Sequence, residues 1–118
     1  EVVEVIYDKD IISFEELLNN FWVNIDPFDA YGQFCDKGYS YRSVAFYKSD
    51  KEKKLIEGDI KDIEKKFNKK VVTYLREFKK FYKAEDQHQD FYKIKLQNYL
   101  RYKKACKREE ILKNIWTQ

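Results

Sequence analysis

Apolar residues change period several times along this chain, and each change marks an element. Val2, Val3, Val5, Ile6 and Tyr7 form a β-rich run interrupted only by Glu4. Asp8-Lys9-Asp10 reads as the turn that ends it. Ser13 then offers an N-cap, and Glu16 three residues later completes a capping box. Phe14, Leu17, Leu18, Phe21 and Trp22 recur at helical spacing, which predicts an amphipathic helix over 14–24. Asp26-Pro27 stops it, because a residue before proline resists the α region. Residues 26–41 fit no period, yet they carry Pro27, Gly32, Gly38, Cys35 and five aromatics. A long aperiodic loop that rich in aromatics is expected to be functional rather than disordered.

Arg42 to Tyr47 reads as a second strand, with Val44 and Phe46 on one face. Ser49 caps a second helix in which Ile56, Ile60, Ile63 and Phe67 share a face, with Gly58 tolerated inside it. Val71 to Leu75 is a third expected strand, and 76–84 is expected to be extended or irregular. Asp86 is placed to cap a short helix to about Ile94, and Lys107 to Trp116 reads as a terminal helix. The fold class that follows is α+β: a small two-layer sandwich, a mixed sheet packed by amphipathic helices. Loop 26–41 and an irregular C-terminal extension complete it, and residues 1–118 form one domain.

Composition narrows the class. With 118 residues, 43% apolar and 18% aromatic, the chain can bury one small core and is no disordered tail. No apolar run approaches the roughly 18–20 residues that span a bilayer, so no membrane is expected among the partners. Cys35 and Cys106 cannot form a dense disulfide framework; each reads as a small buried hydrophobe in a reduced, cytoplasmic setting. No basic-then-apolar leader opens the chain, and a start at Glu1 with no Met anywhere suggests a beginning inside a longer protein. Residues 1–59 hold 7 Lys/Arg against 13 Asp/Glu, whereas residues 60–118 hold 17 against 8. The basic half invites nucleic acid or an anionic surface. Its cations are scattered among acids with no recognition motif, so a solvated lysine-rich face is the expectation, with no nucleic acid partner.

Unaided chemistry is sparse. The single histidine, His88, excludes most triads and any zinc site of ordinary composition, so no metal is expected. A Cys-His nucleophile pair from Cys35 or Cys106 with His88 is conceivable. Neither cysteine sits in a context that lowers a thiol pKa, beyond the weak hint of Lys104 and Lys107 near Cys106. No glycine-rich phosphate loop is present, and the pairs Phe21-Trp22, Phe46-Tyr47 and Phe81-Tyr82 read as core.

The order of residues says more. The pieces are Glu1-Val-Val-Glu-Val-Ile-Tyr-Asp, Ile12-Ser-Phe-Glu-Glu-Leu-Leu, Phe21-Trp22, Asn24-Ile-Asp-Pro and Gly32-Gln-Phe-Cys-Asp-Lys-Gly38. They continue through Tyr41-Arg-Ser-Val-Ala-Phe-Tyr47, Phe81-Tyr82, Ala84-Glu-Asp-Gln-His-Gln-Asp-Phe-Tyr92 and Tyr102 to Cys106. In this order and spacing the chain resembles peptide methionine sulfoxide reductase A, which reduces the S epimer of methionine sulfoxide. The family's nucleophile lies in a Gly-Cys-Phe-Trp motif that this sequence does not contain. The resemblance therefore implies the C-terminal two-thirds of such an enzyme, inactive alone, with a non-catalytic remnant or binding module as the alternative.

The resemblance also implies roles. In the family a thiolate attacks the sulfoxide sulfur while a carboxylic acid protonates the oxygen. The acid's position falls on Glu1, and the tyrosine that hydrogen-bonds the sulfoxide oxygen falls on Tyr41. The aspartate of the loop Gly-x-Asp-x-Gly-x-x-Tyr-Arg, which orients substrate and that tyrosine, falls on Asp36. No bound cofactor is implied. Thioredoxin or another dithiol is the expected reductant, and methionine sulfoxide, free or in proteins, the expected substrate.

Overall fold

A computed structural model of the chain describes residues 3–81, 100, 101, 104 and 106–117. Helix α1 runs over Phe14–Val23 behind Ser13, whose Oγ accepts the Glu16 N–H at 3.1 Å. The expected helix is there; it ends at Val23, one residue before the expected end, with Asn24 as its C-cap. The long helix α2 covers Asp50–Phe67 behind Ser49, whose Oγ accepts the Glu52 N–H at 3.2 Å. It ends at Asn68 in the left-handed conformation (φ 51°), a common helix stop. A third helix, α3, spans Arg108–Trp116.

Four short strands pair in two separate sets. β1 (Gly32–Gln33) and β2 (Asp36–Lys37) form an antiparallel hairpin inside the aperiodic loop. β3 (Val44–Tyr47) and β4 (Tyr74–Glu77) run parallel, with Val44 opposite Tyr74 and Tyr47 opposite Glu77. Parallel strands need a crossover, and α2 is that crossover: β3-α2-β4 is a βαβ unit. The core sits where α1, α2 and β3 meet, built on Leu18, Trp22, Ala45, Ile56, Ile63 and Val71. Ala45 is the buried residue of β3, whereas Phe46 on the opposite face is 41% exposed. Val44 and Phe46 thus share a face as expected, but that face is the open one. The architecture is the expected α+β fold.

Two expectations need correction. Residues 3–8 form no strand, and Val3, Val5 and Ile6 are exposed. A β-rich run holds a strand only where a neighbour takes its backbone groups, and among the described residues it has none. The third strand starts three residues later than expected. The Val71 N–H goes to Glu64 Oε2 (3.0 Å) and the Val72 N–H to the Pro27 carbonyl (2.8 Å), so the backbone is engaged elsewhere before it reaches β3. The helix expected from Asp86 to Ile94 lies outside the described residues, as does His88.

One polar contact inside the core is testable. The buried Trp22 donates its indole N–H to Asp59 Oδ2 at 3.0 Å. Burial pushes the Asp59 carboxyl above its ordinary value, the Trp22 hydrogen bond opposes this, and the Asp62 and Glu15 carboxylates add to the rise. A raised folded-state pKa means the folded chain holds a proton that the unfolded chain releases. Ionised Asp59 therefore weighs against folding at neutral pH, and this opposition fades as pH falls toward 3.8. Asp59→Asn keeps an acceptor for Trp22 without the charge. It should match or exceed the parent's melting temperature at pH 7 and lose that advantage near pH 4. Asp59→Ala leaves the indole N–H unpaired and should cost about 1–3 kcal/mol at either pH. Thermal melts of the three proteins at both pH values check this; an Asn variant as unstable as the Ala variant would contradict it.

Candidate active site

The aperiodic loop is built from side chains that fasten backbone. Asp26 begins it: its Oδ1 accepts the Phe28 N–H at 3.0 Å, an Asx turn over the buried Pro27. Gln33 then clips the hairpin to this corner in both directions. Its Oε1 accepts the Asp26 N–H at 2.8 Å and its Nε2 donates to the Asp26 carbonyl at 2.8 Å, as a partner strand would. Asp29 ties the two arms, accepting the Tyr31 N–H at 2.8 Å on one oxygen and pairing with Lys37 on the other. Burial alone would raise the Asp29 carboxyl; the Lys37 hydrogen bond and charge and the Tyr31 and Gly32 amides outweigh it and hold the carboxyl below its ordinary value.

Gly38 leaves the hairpin at φ 125°, with its N–H on the Tyr31 carbonyl at 2.8 Å. A 3-10 turn, Tyr39–Tyr41, follows at once and packs against both β1 and β2. Arg42 fixes that turn to the βαβ unit. Its guanidinium lies 3.9 Å from the Tyr39 ring centre and 4.6 Å from that of Tyr74, and Nη1 donates to the Tyr74 hydroxyl at 2.6 Å. Next to it, Tyr39, Ser40, Arg42, Val44, Phe46, Tyr74 and Arg76 line a shallow cleft of about 320 Å³.

Asp36 is half-buried on β2, and Tyr41, 40% exposed, ends the 3-10 turn that packs on it. The loop thus carries both on one hairpin-turn unit, and neither lines the cleft beside Arg42. Glu1 lies outside the described residues. Among the described residues no cluster of three His, Cys, Asp or Glu could hold a metal ion.

The cysteines overturn their expectation. Cys35 and Cys106 are bonded to each other across 71 residues of sequence, with Cα atoms 5.4 Å apart, and Cys35 is exposed. Neither is a solitary buried hydrophobe. Sequence separation hid the pair, because the turn that presents Cys35 and the docking of α3 that presents Cys106 are both tertiary. Arg108 Nη2 donates to the Asn24 carbonyl at 2.6 Å, Trp116 Nε1 donates to the Ile25 carbonyl at 3.1 Å, and the Trp116 ring packs edge-on against Phe67. Gln33 and Asp29 also escaped sequence reasoning. The signal for Gln33 was the Gly32-Gln piece, an amide side chain seven residues after Asp26.

An α+β domain whose long loop is folded into a fastened hairpin and 3-10 turn is the class this architecture defines. Residues 1–118 match the family profile described as peptide methionine sulfoxide reductase, and the chain belongs to that family. It is 39% identical over 118 residues to peptide methionine sulfoxide reductase MsrA of Bacillus velezensis, covering 98% of this chain and 67% of that protein. The MsrA of Ligilactobacillus salivarius is 43% identical over 101 residues, covering 84% and 59%. Among solved structures, Mxr1 of Saccharomyces cerevisiae in reduced form superposes with a TM-score of 0.69 at 33% identity, over 77% of this chain and 50% of that one. The chain thus spans about two thirds or less of the length of these relatives.

Proposed function

We propose that these 118 residues are the acid- and substrate-binding part of a reductase that returns methionine-S-sulfoxide, free or in proteins, to methionine. Family membership along the whole chain carries the reading, and the packing of the 3-10 turn that holds Tyr41 against the strand that holds Asp36 supports it. In it a thiolate from a Gly-Cys-Phe-Trp segment joined ahead of Glu1 attacks the sulfoxide sulfur. Glu1 delivers a proton to the oxygen, Tyr41 holds that oxygen by a hydrogen bond, and Asp36 orients substrate and tyrosine. Methionine departs, and the oxygen remains on the thiol as a sulfenic acid. A dithiol protein of the thioredoxin kind then restores the thiol, in a cytoplasmic setting that keeps such dithiols reduced.

Dithiothreitol-driven reduction of a methionine sulfoxide peptide tests this. The 118-residue chain alone should show negligible turnover, and the protein joined to a Gly-Cys-Phe-Trp segment should turn over. Changing that added cysteine to Ser should abolish activity, whereas the Cys35→Ser and Cys106→Ser variants should remain active. Robust turnover by the 118 residues alone, lost with either Cys35 or Cys106, would overturn the assignment of roles.

A further inference from the structure

The Cys35–Cys106 bond lies one residue from Asp36 and two residues before α3. It closes on the tip of the hairpin, at the two-residue turn Phe34-Cys35. Two kinds of attachment hold that hairpin. At its base are the Gln33 clip to Asp26, the Asp29–Lys37 pair and the Gly38-to-Tyr31 bond. At its tip are the disulfide and the Arg108 guanidinium, 4.6 Å from the Phe34 ring centre. The base attachments are made among residues 26–38, whereas the tip attachments run to Cys106 and Arg108.

The two sulfurs stand in unlike surroundings. Cys35 is exposed, whereas Cys106 is 8% exposed. A dithiol therefore reaches Cys35. Cys106 stands two residues before α3, packed away from solvent. An exposed sulfur open to attack, bonded to a buried one, makes the bond reducible from the Cys35 side.

We infer that the Cys35–Cys106 disulfide is a redox-operated clamp on the hairpin that carries Asp36: closed, it holds the tip for substrate binding, and opened by a dithiol, it frees the tip and lowers substrate affinity. In opening, a dithiol thiolate attacks Cys35 Sγ, the Sγ–Sγ bond breaks, and Cys106 leaves as a thiolate and takes up a proton. The second thiol of the reagent attacks the mixed disulfide and releases Cys35, so two electrons and two protons pass to the protein and the dithiol becomes a cyclic disulfide. The base attachments survive, so Asp36 loosens without the hairpin being lost. The effect on affinity rests on the reading of Asp36 as a substrate-binding residue.

The test has an arm free of activity. Amide exchange of residues 34–37 in the 118-residue chain should be at least about tenfold faster after dithiothreitol, through a local opening insensitive to low denaturant. The Cys35→Ala/Cys106→Ala double variant should match the reduced chain without any reductant. Unchanged exchange would overturn the clamp. So would exchange that becomes denaturant-sensitive together with the amides of α2, because the bond would then be a staple on the whole fold.

The second arm uses the protein joined to a Gly-Ser-Phe-Trp segment, which binds a methionine sulfoxide peptide without reacting. Reduction should weaken binding by roughly 3- to 10-fold, and Asp36→Asn should weaken the oxidised form. If Asp36→Asn weakens binding while reduction leaves it unchanged, the clamp fails and the site reading stands. If Asp36→Asn has no effect, the role of Asp36 fails, and the clamp's effect on affinity fails with it.

Discussion

Changing Glu1 to Gln in the protein that carries the Gly-Cys-Phe-Trp segment should slow sulfoxide reduction by about 10²- to 10⁴-fold, the range expected for losing a general acid. That is about 3–5 kcal/mol of transition-state stabilisation. Oxide is a poor leaving group until protonated, so the proton has to arrive while the thiolate attacks the sulfur. Glutamine still donates a hydrogen bond to the oxygen but cannot hand over a proton. The substitution should therefore act on the rate of the chemical step and spare affinity. An acid in this role must keep its proton near neutral pH, which apolar surroundings favour by disfavouring the carboxylate. Single-turnover reduction of a methionine sulfoxide peptide by the parent and the Gln variant checks this. Tyr41→Phe should cost less, because it removes a hydrogen bond and leaves the proton source. A Gln variant with nearly full rate beside an inactive Tyr41→Phe would make the tyrosine the acid.

What the sequence disclosed follows from which features are local. Ser13 with Glu16, and Ser49 as a cap, marked two helix starts, because a cap and the N–H it accepts lie three residues apart. The face Ile56-Ile60-Ile63-Phe67 announced α2 because helical burial repeats within one element. The β-rich run at the N-terminus misled, since propensity records what a strand tolerates and says nothing of a neighbour. The loop resisted periodicity for a related reason. Its order comes from single side chains, Asp26, Asp29, Gln33 and Arg42, each bonding backbone or a ring at its own separation. Tyr41 and Asp36 came into view only through resemblance to a family loop. That loop has glycine at the position of Phe34, and Phe34 takes φ 53°, a conformation that glycine adopts freely. Here the Arg108 guanidinium covers its ring.

The three glycines, two in this loop and one in α2, give a graded test of how tightly the site is built. A methyl group on Gly32 would lie 2.0 Å from the Asp36 carbonyl oxygen and 2.8 Å from the Lys37 Cα. Both are backbone atoms of the facing strand, so no side chain can swing aside, and the hairpin itself must open. Gly32→Ala should cost about 2–4 kcal/mol, the worth of the hairpin attachments it breaks. Gly38 faces open space, but at φ 125° and ψ 173° an alanine is strained, and Gly38→Ala should cost about 1–3 kcal/mol. Gly58 has open space and sits inside α2, so Gly58→Ala should gain about 0.5–1 kcal/mol. Denaturant melts of the three variants give the order directly. A Gly32 variant as stable as the parent would mean that β1 and β2 do not pair as closely as 2.0 Å demands. Affinity for a methionine sulfoxide peptide, measured with the Gly-Ser-Phe-Trp segment attached, should separate the causes. Opening the hairpin displaces Asp36, so Gly32→Ala should bind more weakly even where it remains folded. Gly58→Ala lies in the helix that supports the core and should bind as the parent does, because stability gained in α2 leaves the geometry of the hairpin unchanged.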